Sequence, residues 1–222
     1  MVDLINVFNE FRSDVAHVGK GKALKSLGFR AANKIINIRR FELIVLRREN
    51  LLPIDLEKYS NVFSRLATIE DLNEMALDEK WNITEELIES FQNGDSCLLS
   101  FVDNKLAGYT WVHTAGHPLL IPGLRISVPK IFGYNYAGFT LPEFRGKGLQ
   151  PYRHHEILNR PEWKDKIGMI GYVDSINWSS KKGQGKSGFQ KIGDLLLLGP
   201  DENLKVVFST ELKQMGIGRM VD

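Results

Sequence analysis

The chain has only one cysteine, Cys97, in 222 residues, so no internal disulfide can form. That suits a reducing cytoplasm. Because Cys97 stands in an apolar run, it reads as a buried structural thiol rather than a nucleophile. The sequence also lacks an apolar stretch long enough to cross a bilayer, and residues 1–10 lack the basic start and long apolar core of a secretory signal. There is no internal repeat and little net charge, +2 overall. What is present is a 43% hydrophobic composition over a length that can bury a core, which predicts one main domain with an extension.

The small net charge hides an asymmetry. Between Arg12 and Arg48 ten Lys and Arg residues stand against Asp14 and Glu42 alone, a balance of +8, so the rest of the chain is slightly acidic. Leu4, Phe8, Phe11 and Val15 recur at helical spacing, as do Leu24, Leu27, Ala31 and Ile35. The expected content is two amphipathic helices followed by a strand over 41–46. We expect residues 1–58 to form this basic extension and 59–222 the main domain. The basic face reads as a solvated surface, with an anionic membrane surface as the sharper alternative. Nucleic acid is disfavoured, because few aromatics interleave with the charges.

Further on, the pattern alternates between strand and helix. Residues 63–68 predict a strand, and Thr68 with Asp71 predicts a capping box opening a helix through Leu77. A second helix is expected over 84–92, then a hairpin of strands 97–102 and 106–113 around Asp103-Asn104-Lys105. Strands follow at 134–141, 167–173, 189–198 and 204–209, with a helix from Gln150 to about Leu158 whose first position suits Pro151. Helices crossing between strands imply an α/β sheet with a ligand cleft where neighbouring strands part.

Chemistry concentrates at the junction of the 134–141 strand and the helix after it. Gly146 and Gly148 allow the backbone to come close to a ligand, so that amide groups and the positive end of the helix can hold phosphate oxygens, and Arg145 and Lys147 add charge there. The tract Arg145-Gly-Lys-Gly-Leu-Gln150 resembles the coenzyme A turn of the GNAT superfamily of N-acetyltransferases. Gln150 departs from the small residue of that pattern, and its side chain must point away from a pyrophosphate. A second stretch carries the resemblance independently: Asn177 is followed eleven residues later by Gly188-Phe189, as in that family. The resemblance runs from near Tyr59 to the C-terminus.

This resemblance implies a GNAT-like mixed, mostly antiparallel central sheet with flanking helices and a coenzyme cleft between two splayed strands, preceded by the basic helical extension. It implies direct transfer of an acetyl or related acyl group from acyl-coenzyme A to an amine, with acetyl-coenzyme A as donor and no metal. Coenzyme binding then falls to Gly138, Phe139, Thr140, Arg145, Gly146, Lys147, Gly148, Leu149, Gln150 and Asn177. Read from its own neighbourhood, Asn177 serves equally as the cap of a helix at Trp178. The family's general acid, a Tyr seven residues after that Asn, is absent, because position 184 is Gln. Water or Tyr152 would have to replace it. For the base, Asp174 leads, with His113 and His117 as alternatives. His154 and His155 read as helix-surface residues.

Gly183-Gln-Gly-Lys-Ser-Gly188 spells a dinucleotide fingerprint and ends like a nucleotide P-loop, but it opens no long crossover helix, and Ser180 stands where a P-loop needs Gly. Its glycines predict a loosened or shortened helix after Asn177. Lys181, Lys182 and Lys186 read as solvated. The long connection over 114–131, with apolar residues at 119–121, 124 and 126, predicts either a greasy acceptor pocket or a packed lid. Expected partners are a small-molecule or peptide amine acceptor, an anionic membrane surface and a second copy of the chain. The alternative function is a non-catalytic acyl-coenzyme A binding module.

Overall fold

A computed structural model describes residues 37–114, 118–121, 124–200 and 203–219, with a few positions between 15 and 28. The two helices expected before residue 37 lie largely outside the described residues, as does His117.

The first strand, β1 (Ile38–Arg47), places alternate and then continuous apolar residues, Phe41 and Leu43 through Leu46, into the core. β2 (Val62–Leu66) leads to α1 (Ile69–Ala76), where Thr68 and Asp71 form the expected reciprocal capping box. Thr84 accepts from the Leu87 amide to cap α2 (Glu85–Gln92). β3 (Ser96–Val102) and β4 (Lys105–His113) form the hairpin, whose corner residues Asp103 and Asn104 take φ of 49° and 62°. These are the left-handed values that a tight hairpin turn asks for and that Asp and Asn tolerate.

β5 (Leu119–Ile121) and β6 (Leu124–Ser127) come next, then β7 (Phe132–Thr140), α3 (Leu149–Asn159) and β8 (Gly168–Asp174). The chain closes with α4 (Trp178–Gly185), β9 (Gln190–Leu198), β10 (Lys205–Phe208), α5 (Thr210–Gln214) and β11 (Gly218–Arg219). Eight strands form one sheet in the order β10-β9-β1-β8-β7-β4-β3-β2, while β11, β6 and β5 form a second small sheet. The α/β class and its mostly antiparallel sheet are therefore observed; β7 and β8 are the parallel pair.

One expectation needs correcting, and one pair of alternatives is decided. The strand near 41–46 forms but does not belong to a separate extension: β1 lies between β8 and β9, where its continuous apolar run is covered on both faces. The 114–131 connection carries two strands, and Leu120, Leu124 and Ile126 are buried in the main core. In the described part, this is a packed element rather than an open apolar pocket. Among the described residues, no helix is long and apolar enough to cross a membrane.

Candidate functional site

β7 and β8 pair only from Phe132–Gly168 to Asn135–Gly171. Beyond that point β8 stays on β1 and β7 stays on β4, so the two strands part and leave a cleft between their C-terminal halves. The β4–β7 register shifts between Tyr109 and Trp111, opposite the stretch Ala137-Gly138, and Ala137 takes a positive φ of 44°. This is a β-bulge, which re-aims backbone amides beside the opening. A cavity of about 220 Å³ occupies the cleft, walled by β7 at Asn135–Gly138, by Asp174, and by Gln150, Arg153, Asn177 and Gln184 from the two helices.

At one end of the cleft stands the glycine turn. Gly146 and Gly148 have φ of 79° and 76°, the left-handed region that glycine enters without strain. No side chain caps α3, whose N-cap is Gly148, and no acid stands in its first turn. The amides of Leu149 and Gln150 thus begin the helix without an intrahelical partner. Arg145 and Lys147 are exposed, and Arg145 Nε donates to the Thr140 carbonyl. Gly148 is also held from behind: its carbonyl accepts from the Tyr59 hydroxyl, whose ring stacks on Tyr152 at 4.9 Å. Pro151 occupies the third helical position rather than the first, which is tolerated because that amide too would lack an intrahelical acceptor.

The structure brings most of the expected coenzyme residues to this turn and cleft. Leu149 packs its side chain into the core, and Phe139 stacks on Tyr109, so either can offer only its backbone. Gln150 turns its side chain toward α4, where its Oε1 lies against Gly183, away from the turn. Asn177 caps α4 by accepting from the Ser180 amide while also lining the cavity. α4 runs through Gly185, so the first half of the dinucleotide and P-loop look-alike, 183–185, is helix and the second half, 186–188, is turn. Lys181 is not a solvated side chain: it bonds Glu42 and the Ser175 carbonyl, both at 2.7 Å.

Of the expected catalytic groups, Asp174 lies at the cleft, with Oδ1 accepting from the Ile176 amide at 2.9 Å. The other two do not. His113 Nδ1 is bonded to the buried Asp95, which also accepts from the Tyr136 hydroxyl, and His113 lines a separate small cavity. The Tyr152 hydroxyl donates to the Val62 carbonyl, on the side of α3 facing away from the cavity, and burial raises its pKa. Both side chains are anchored by partners inside the sheet and its flank.

Two buried polar residues were missed. His154, expected on the helix surface, is 1% exposed; it bonds Ser187 Oγ, and burial, then the Arg153 charge, pull its pKa down to about 3, so the ring is neutral at neutral pH. Arg153 is 2% exposed and its Nη2 donates to Thr140 Oγ1 at 2.8 Å. A helical stripe signals it: Leu149, Arg153 and Ile157 follow at four-residue spacing, and both apolar members face inward.

No family model matches the chain, and no curated protein matches it. Solved structures do. An acetyltransferase of the GNAT family from Colwellia psychrerythraea aligns over 77% of this chain and 60% of its own, at 11% identity and a TM-score of 0.49. A GCN5-related N-acetyltransferase from Kribbella flavida aligns over 75% and 61%, at 12% identity and 0.49. A ribosomal-protein-alanine N-acetyltransferase from Brucella melitensis biovar Abortus 2308 aligns over 56% and 89%, at 18% identity and 0.43. The chain thus spans about 60% of the length of the first two. These are similarities of chain path, and the roles of residues below rest on this chain's own geometry.

Proposed function

We propose that this protein is an acyl-coenzyme A-dependent N-acyltransferase of the GNAT type, moving an acetyl or related acyl group directly to an amine. The observation that carries the reading is the uncapped, left-handed glycine turn opening onto a cleft between parallel strands that part beside a bulge. The turn offers amides and two exposed cations to a pyrophosphate. The β7 edge from Thr140 to Gly138 has no partner strand on its cleft side, so its backbone groups are open to the amides of a pantetheine arm. Gln184 Oε1 is buried with no partner among the described residues and suits an amide N–H donor from the same arm.

The chemistry asked of the protein is then placement and proton handling. The amine nitrogen attacks the thioester carbon, the C–S bond breaks, and the electron pair leaves on sulfur. The re-aimed amides at Ala137 and Gly138 stabilise the carbonyl oxygen as it gains charge. Asp174 takes the amine proton. With Tyr152 turned away, the coenzyme leaves as thiolate or is protonated by water. A thiol is acidic enough to make this a modest handicap.

The test is calorimetric titration with acetyl-coenzyme A, coenzyme A and ATP, followed by an amine panel scored by thiol release. Saturable binding of the coenzymes but not ATP, with amine-dependent thiol release that falls about 100-fold or more in Asp174→Asn, is the expected result. Absence of coenzyme binding would refute the reading. We further propose that the basic segment upstream of Ile38 meets an anionic membrane surface; flotation with phosphatidylserine vesicles that leaves the protein unbound would refute that.

A further inference from the structure

The inner wall of the cleft holds a cation with no counter-ion among the described residues. Arg153 presents five N–H donors in a fixed fork, of which the structure engages Nη2, with Thr140 Oγ1. Its Nη1 is buried and has no acceptor among the described residues. Among the described residues no carboxylate forms an ion pair with it. Burial lowers its pKa to about 10, which still leaves it charged at neutral pH. A buried, unpaired charge is costly, and an aliphatic side chain on the Leu149–Ile157 stripe would fill the position at far lower cost.

Its surroundings supply dipoles rather than charge. Asn135 Nδ2 donates to Thr110 Oγ1 at 2.8 Å, and His154 is neutral and tied to Ser187. Asp174 lines the same cavity, but the partner of its Oδ1 is the Ile176 amide. The guanidinium lies over the Gly108–Thr140 pair of the β4–β7 ladder, because a side chain on Gly108 would come within 3.2 Å of Nη1. Along the same face the next residues are Thr110 and Gly138, at the bulge. A fork held by Thr140 at Nη2, with no partner at Nη1 among the described residues, on a side chain that lines the cavity, has the donors that receive a carboxylate.

We propose that the acyl group held in this cleft ends in a carboxylate, which Arg153 receives, so that the donor is the coenzyme A thioester of a short dicarboxylic acid. This rests on the acyltransferase reading above. Arg153 stands on α3, five residues beyond Gly148, and this places the charge on the donor side of the cleft. In the transfer, the amine nitrogen bonds to the thioester carbon and the C–S bond breaks. The electron pair leaves on the coenzyme sulfur, the amine proton goes to Asp174, and the distal carboxylate is unchanged. The product is a half-amide of the diacid.

The test is titration of the wild-type, Arg153→Met and Arg153→Lys proteins with coenzyme A, acetyl-coenzyme A and succinyl-coenzyme A. Wild type should hold succinyl-coenzyme A about tenfold or more tighter than acetyl-coenzyme A. Arg153→Met should lose that ratio, and Arg153→Lys, which keeps charge but not the fork, should keep part of it. Equal wild-type affinities, or a preference that survives in Arg153→Met, overturn the proposal. A carboxylate borne by the acceptor would appear instead as an Arg153-dependent preference for glycine over ethylamine with no preference among donors, and also overturns it. If no coenzyme binds at all, the acyltransferase reading fails. The subsite is then judged by free succinate, which must raise the melting temperature of wild type and not of Arg153→Met. Should Arg153→Met not fold, Thr140→Val, which removes the positioning hydroxyl, must diminish the succinyl preference.

Discussion

Replacing Gly146 by glutamate separates binding from folding at the glycine turn. A Cβ built on Gly146 has nothing within 4 Å, whereas one on Gly148 would sit 2.5 Å from the Tyr59 hydroxyl. Both glycines have positive φ, so either substitution carries about 1–2 kcal/mol of backbone strain. For Gly146→Glu that is nearly the whole structural cost, a fall in melting temperature of roughly 2–8 °C for a chain of this size. Gly148→Glu must also displace Tyr59, losing its hydrogen bond to the Gly148 carbonyl and its stack on Tyr152, for about 2 kcal/mol more. At the ligand the two converge. A carboxylate about 5 Å from a phosphate charge, at an effective dielectric constant near 20, is repelled by about 3 kcal/mol, so coenzyme affinity should fall at least 100-fold in either variant. Thermal melts and titration calorimetry on both proteins read the two effects independently. If folded Gly146→Glu bound coenzyme A within about threefold of wild type, the turn would not be a pyrophosphate cradle.

Cys97, with its thiol pKa raised by burial, should resist an aromatic disulfide reagent in the native state and react stoichiometrically in denaturant; rapid native reaction would contradict the assigned core. Tyr152→Phe should lower turnover less than about threefold, since the hydroxyl serves the Val62 carbonyl; a loss beyond about 100-fold would restore the general-acid role. Asp95→Ala, which leaves His113 and the Tyr136 hydroxyl without their shared buried acceptor, should cost about 3–5 kcal/mol in urea unfolding. Asp71 is held down to about 2, first by the Arg65 hydrogen bond, so its folded pKa lies below the ordinary 3.8. Its contribution is present above about pH 4 and is lost as pH falls toward 2. Asp71→Asn should flatten the stability profile in that window, and an unchanged profile would refute the pairing.

Local rules made much of this molecule legible. The Thr68–Asp71 capping box, the helix near 84–92 and the Asp103-Asn104 corner each depend on residues within a few positions of one another, and each formed as read. The turn at 146–148 and the helix behind Asn177 were legible for the same reason. What escaped was set by distant partners. Nothing near Ile38 announces that its neighbours will be Leu198 and the strand at 168–174, and nothing in Gly218-Arg219 announces pairing with β6. Arg153 and His154 escaped because polar residues on a helix are ordinarily solvated. Only the inward stripe from Leu149 to Ile157, weighed above residue type, marks Arg153 as buried.

The place of β1 in the middle of the sheet has a consequence for biosynthesis. Phe41 is made early but must wait for Asp174, and Ile38 for Leu198, before either finds its ladder partner. At about 5–20 residues per second, the run Phe-Glu-Leu-Ile-Val-Leu spends on the order of ten seconds or more outside the ribosome as an unpaired apolar strand. The β3–β4 hairpin and its pairing with β2 can form meanwhile, since all three strands are made well before residue 168. Expression of this protein should therefore depend on holdase chaperones that shield residues 41–46, and fragments ending before residue 190 should aggregate through that strand.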